Sequence, residues 1–108
     1  MNKRRNKYGN KKIVVDGIEY ASLKEHRRHC ELMLLERAGQ ISELKLQPVY
    51  RIEINGMLVC KYIGDFEYIE DGHKVVEDVK SPITRKNPVY RLKNKLMQAV
   101  HGINIREV

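Results

Sequence analysis

The chain has 108 residues, with 21 Lys and Arg against 14 Asp and Glu and a formal net charge of +7. A chain of that length fits one domain, which hides roughly two-thirds of its unfolded surface and needs no covalent staple. No stretch approaches the ~18 apolar residues of a membrane span, and the N-terminus lacks the apolar core of a secretory signal, so a soluble cytoplasmic protein is expected with no membrane partner.

The opening MNKRRNKYGNKK holds Lys3, Arg4, Arg5, Lys7, Lys11 and Lys12 and no acid. Such a segment cannot order itself by burying apolar surface, yet a polyanion would attract it and release counterions. Residues 1–12 are therefore read as a flexible basic tail and residues 13–108 as the folded domain, with DNA as the expected partner. A merely solubilising tail is the plainer alternative.

IVVDGIEY, residues 13–20, predicts a hairpin turning at Asp16-Gly17. The following SLKEHRRHCELMLLERAG predicts a helix, with Ser22 as N-cap, Glu25 completing a capping box and Gly39 as the stop. Apolar residues 32–35 suggest that its second half is buried on nearly all sides. A linker through Leu46 is expected next, then antiparallel strands turning at Asn55-Gly56 and Asp71-Gly72, one of them running from Tyr62 to Ile69 around Gly64. Pro82 and Pro88 bound an irregular loop. Asn87 and Pro88 then open a second helix, with Val89, Leu92, Leu96, Ala99 and Val100 as its apolar stripe and Gly102 as its end. INIREV closes the chain as a strand. The order is helix, three strands, helix, strand, an α/β (α+β) domain on a mixed sheet with a leading hairpin.

The chemistry concentrates in VVEDVK, residues 75–80. Alternation along a strand puts Val76, Asp78 and Lys80 on one face and Val75, Glu77 and Val79 on the other. The turn at Asp71-Gly72 folds Asp65 back toward Asp78, and Gly64 leaves room beside it for a backbone or a ligand. Two adjacent carboxylates repel unless something positive sits between them. Mg²⁺ suits the pair, because it takes one or two carboxylates and keeps waters and phosphate oxygens as its other ligands. Lys80 then stands where it orients a nucleophilic water or stabilises charge on phosphorus. Strand-end acids paired with Lys80 and Lys61 remain the plainer alternative.

An acid on a first helix, an acid on a strand and Asp-x-Lys ending the next strand, in the order αβββαβ, resembles the PD-(D/E)XK nuclease superfamily. Within it, YASLKEHR, LQP, DF.Y, VVEDVKS and YRLKNKL…HGI.I.EV resemble a small phage-encoded family, over Tyr20 to Val108. The resemblance implies a single-domain, restriction-endonuclease-like core similar to Holliday-junction resolvases and related structure-selective endonucleases. It also implies that Asp65 and Asp78 bind the metal and that Lys80 is the motif lysine. Glu25 matches the helix acid that such nucleases use near the metal, although capping alone is reason enough for a glutamate there. Gly64 stands where the pattern has Pro.

Softer candidates surround this set. Gln47, read as opening the first core strand before Pro48, and Tyr90 are accessory candidates. Arg85 and Lys86, on a loop at 81–87 read as mobile, and Arg91, Lys93 and Lys95 on the second helix are candidate phosphate contacts, or equally a solvated face. Together with Arg4, Arg5, Lys11 and Lys12 they complete the expected DNA-binding set. His26, His29 and Cys30 lack a fourth zinc ligand at sensible spacing, and Cys30 and Cys60 are expected to be reduced thiols. The expected activity is Mg²⁺-dependent hydrolysis of DNA phosphodiesters, with Mn²⁺ as substitute. Branched or junction DNA as substrate, a homodimer and a bacterial host's cytoplasm follow from the resemblance. A non-catalytic DNA-binding or host-interaction protein on the same fold is the alternative.

Overall fold

The computed structural model describes residues 12–108; Arg4, Arg5 and Lys11 of the expected tail lie outside the described residues. In chain order the elements are β1 (Ile13–Val15), β2 (Ile18–Tyr20), α1 (Leu23–Arg37), β3 (Ser42–Leu46), β4 (Val49–Ile54), β5 (Met57–Ile63), β6 (Phe66–Glu70) and β7 (His73–Asp78). Then come α2 (Pro82–Arg85), α3 (Pro88–Leu96), a π-helical turn (Met97–His101) and β8 (Arg106–Glu107).

The three hairpins have one cause. Asp16-Gly17, Asn55-Gly56 and Asp71-Gly72 all take positive φ at both positions, as a type I′ turn demands. They fold β1 on β2, β4 on β5 and β6 on β7. The last pair belongs to a four-stranded mixed sheet of order β3-β6-β7-β8, in which only β8 runs parallel to its neighbour. Taking α1, β3, β6, β7, α3 and β8 alone gives the expected αβββαβ order, with β4–β5 as an excursion between its first two strands.

Two strand expectations are corrected. The presumed linker before Leu46 contains β3, which is short, mostly exposed and interrupted by a register shift where Glu43 adopts φ 55°. Those features mask its period. The presumed strand from Tyr62 to Ile69 is two strands, because the chain changes partners at Gly64: the Gly64 amide donates to Pro48 O, whereas the Asp65 amide donates to Glu77 O. A Cβ at Gly64 would lie 2.9 Å from Val76 Cγ1, so only glycine lets β7 pass this corner so closely.

Both faces of the sheet are buried. Leu32, Ile41, Phe66 and Tyr68 form a core beneath α1, joined by Val75 and Val79. Ile52, Tyr62, Val76 and Met97 form another beneath the β4–β5 hairpin and the end of α3. Ser22 Oγ accepts from the Glu25 amide at 3.1 Å, and Glu25 Oε1 accepts from the Ala21 amide at 2.9 Å, so the predicted capping pair opens α1. Within residues 32–35, however, Met33 and Leu34 point outward.

The segment after Pro82 also differs from expectation. Residues 81–87 are no irregular loop: Ser81 caps the short helix α2 through the Thr84 amide at 3.2 Å. Asn87 Oδ1 caps α3 as predicted, accepting from Val89 and Tyr90 amides. Of the predicted apolar stripe of α3 only Leu96 packs on the core; Val89, Leu92, Ala99 and Val100 are exposed. Tyr90, Lys93, Asn94 and Met97 turn inward instead, at helical spacing, and the polar members of that row face the carboxylates described next. Among the described residues no helix is long and apolar enough to cross a membrane.

Candidate active site

Asp65 sits at the corner between β5 and β6, and Asp78 ends β7. The β6–β7 register pairs Phe66 with Glu77, which sets the preceding Asp65 beside Asp78. The two carboxylates are close enough for the charge of Asp65 to act on Asp78. Each has one protein partner. Asp65 Oδ2 accepts from the Val79 amide at 2.7 Å, and Asp78 Oδ2 accepts from the Tyr62 hydroxyl. Asp78 Oδ1 is buried and has no hydrogen-bond partner, with Lys80 Nζ 3.9 Å away.

That arrangement strains both carboxylates electrostatically. Burial pushes Asp78 from 3.8 up to about 6, with the Asp65 charge adding to the rise and the Tyr62 hydroxyl and Lys80 opposing it. Burial likewise raises Asp65, against the Val79 amide and Lys80. Glu25, buried on α1, is raised by desolvation and by Asp65, so the helix acid belongs to the same electrostatic cluster. Among the described residues no three acid, His or Cys side chains converge as a ready-made metal cage. A pair of carboxylates with one orphaned oxygen still fits Mg²⁺, a cation that needs few protein ligands.

The pair divides two cavities. On the α1 side a cavity of about 340 Å³ is lined by Glu19, Tyr20, Glu25, Gln47 and Asp65. Gln47 is found at the end of β3 rather than at the start of a strand, at φ 50°, its amide donating to Asp65 O at 2.9 Å. On the other side a cavity of about 360 Å³ lies between β5 and α2–α3, and Asp78, Lys80, Tyr90 and Lys93 line it. Lys80 Nζ stands 5.3 Å from the centre of the Tyr90 ring, and the Tyr90 hydroxyl donates to Glu107 at 2.7 Å. The Lys80 amide donates to Val108 O, just past β8, and the Val108 amide donates to Asp78 O, which pins the segment after Asp78.

The other candidates scatter. Lys86, Arg91 and Lys95 are exposed, Arg85 is drawn to Glu107 at 3.6 Å, and Lys12 pairs with Glu19 at 3.7 Å. His29 is buried and stacked on Phe66, its Nδ1 2.6 Å from the Tyr20 hydroxyl, and burial lowers its pKa, so it packs as a neutral ring. Cys30 and Cys60 are free thiols.

Two contributors escape the linear sequence. Tyr62 donates to Asp78 from β5, a strand of another sheet. Lys61, which the sequence offered only as a pairing partner for the acids, lines the second cavity. Behind the site, fully buried Glu77 takes a two-pronged bond from Arg28, Nε to Oε1 at 2.9 Å and Nη2 to Oε2 at 2.6 Å, and accepts from Tyr68 as well. The adjacent acids of VVEDVK thus serve opposite faces of the sheet, Glu77 locked to α1 and Asp78 turned to the cavities. The one available signal was Arg28, spaced one turn after Glu25 on the helix.

No curated protein and no solved structure matches the chain. A family described as a protein of unknown function, DUF1064, matches residues 5–106, which is nearly all of it, and the protein belongs to that family.

Proposed function

We propose that the protein is a Mg²⁺-dependent endonuclease that hydrolyses DNA phosphodiesters, as the resemblance to PD-(D/E)XK nucleases implies. One observation carries the reading: half-buried Asp65 and buried Asp78 stand together, and Asp78 keeps one carboxylate oxygen without a hydrogen bond beside Lys80, at the wall of a cavity with further lysines. Two like charges this close, one of them buried, are costly even with Lys80 nearby, so a site that keeps them is suited to binding a divalent cation. When bound, Mg²⁺ supplies the positive charge that lets both carboxylates ionise and makes nearby water a stronger acid.

The chain's own residues do the rest. Tyr62 and the Val79 amide each hold one oxygen of a carboxylate and leave Asp78 Oδ1 without a hydrogen bond. Lys80 offers its ammonium to charge developing on the phosphoryl oxygens or to the attacking water. Glu25 adds negative charge at the α1 side, and Lys93 supplies phosphate attraction at the other. Mn²⁺ is expected to substitute for Mg²⁺. A junction-selective enzyme working on symmetric DNA calls for a symmetric dimer, and the exposed apolar residues Val49, Met57 and Val59 of the β4–β5 hairpin are surface that supports one. The bacterial host's cytoplasm is the corresponding site of action.

The test is a panel of labelled linear, flap and four-way DNA incubated with and without Mg²⁺ or Mn²⁺. Metal-dependent cutting of at least one substrate is the expected result. Binding without cutting on every substrate would replace the enzyme by a non-catalytic DNA-binding protein, the reading favoured by the net charge of +7 alone.

A further inference from the structure

The cavity between β5 and α2–α3 has a composition that the carboxylate site does not require. Its walls include Ile63 and Val89, 57% and 62% exposed and so unusually open for aliphatic residues, while Thr84 and Asn87 add small polar groups at the α2–α3 side. Lys61 and Lys93 reach it from opposite sides, from β5 and from α3, and Lys80 joins them next to Asp78. Apolar walls beneath a ring of ammonium groups match a ligand with a flat, weakly polar body and an anionic edge. A nucleotide has that form, and about 360 Å³ accommodates one base with its sugar but no stacked pair.

We infer that this cavity receives one unpaired nucleotide adjoining the scissile phosphate, its base between Ile63 and Val89 and its phosphate at Lys61 and Lys93. A base inside a duplex cannot enter, because its edge is paired and both faces are stacked; a base at a flap, fork or junction is already free. Selectivity for branched DNA then arises in binding, since only such substrates fill the cavity without the cost of unstacking. The inference rests on DNA being the ligand and on the site reading above, but it needs no catalysis.

The test uses the full chain in EDTA, so that nothing is cut. Fluorescence anisotropy compares a 5′-flap duplex with a blunt duplex of equal length, and a 2-aminopurine at the first unpaired position reports its surroundings. The flap is expected to bind about tenfold more tightly than the blunt duplex, which corresponds to about 1.4 kcal/mol. Ile63→Glu and Val89→Glu, at positions exposed enough to leave the fold intact, are expected to bring the two affinities within about twofold and to abolish the 2-aminopurine response. Lys61→Ala with Lys93→Ala is expected to lower the salt dependence of flap binding by about two phosphate contacts. Equal affinities in the wild type, or a flap preference that survives Ile63→Glu and Val89→Glu, would overturn the cavity assignment while leaving the carboxylate site untouched. Failure to bind any DNA would overturn both.

Discussion

At the scale of single residues, Asp78 is where stability and function pull apart. Its carboxyl titrates at about 6 instead of 3.8 in the metal-free protein, so the folded state binds a proton more readily than the unfolded one. A raised acid contributes stability that is present below 3.8 and lost as pH rises through about 6. Asp78→Asn removes that dependence. In EDTA, thermal unfolding of the variant and wild type should nearly coincide at pH 4, and the variant should be the more stable at pH 8, by about 2 kcal/mol. Equal stability at pH 8 would show that the ionised carboxylate carries no strain. Cleavage should be lost in Asp78→Asn, as it should in Lys80→Ala, whose DNA affinity is expected to stay within about threefold of wild type because only one of many cations is removed. Glu25 separates by substitution: Glu25→Gln keeps an acceptor for the Ala21 amide and so should retain the fold, with activity reporting whether its charge is used.

At the scale of elements, the site depends on what anchors β7. Glu77 is fully buried and its partners are Arg28 and Tyr68, so Arg28→Ala would strand a charge in the core and should cost about 3–5 kcal/mol of stability by denaturant titration. The double variant Arg28→Met with Glu77→Leu should recover much of that loss, since an apolar pair of similar volume leaves no charge behind. Gly64→Ala pushes a methyl into Val76 at 2.9 Å and should destabilise by about 1–3 kcal/mol while displacing Asp65. These elements also show what a linear reading can see. The three Asx-Gly turns, the Ser22 and Asn87 caps and the opposition of Asp65 to Asp78 were all legible, because each is decided within a few residues by backbone chirality or by hairpin register. β3 was not, since Glu43 interrupts its alternation, and neither was the break at Gly64, where the reason is a contact with β7 a dozen residues away. The inward face of α3 misled for a physical cause: the row Tyr90, Lys93, Asn94 faces the carboxylates and Glu107, so all of the apolar row but Leu96 was left outside.

At the scale of the whole molecule, charge is what the proposed polyanionic partner would meet first. The net charge of +7 is concentrated partly in residues 1–11, where Lys3, Arg4, Arg5, Lys7 and Lys11 face no acid in sequence. Deleting that segment should weaken binding to every DNA alike and flatten its salt dependence, without changing which DNA is preferred. A changed preference would mean that the segment reads structure as well as charge. Inside the domain, the two carboxylates form the boundary between an acid-lined cavity and a lysine-lined one. On the proposed reading, that gradient at the ends of β6 and β7 orients an anionic strand with its phosphate toward Lys80 and the cation toward Asp65.

The most direct measurement is anomalous X-ray diffraction from a crystal soaked in Mn²⁺ at pH 7.5, where Asp78 is ionised. A manganese peak about 2.0–2.3 Å from one oxygen each of Asp65 and Asp78, with the previously unpartnered Asp78 Oδ1 among its ligands, is the predicted result. Carboxylates with no peak between them, or a peak held elsewhere in the molecule, would contradict the account.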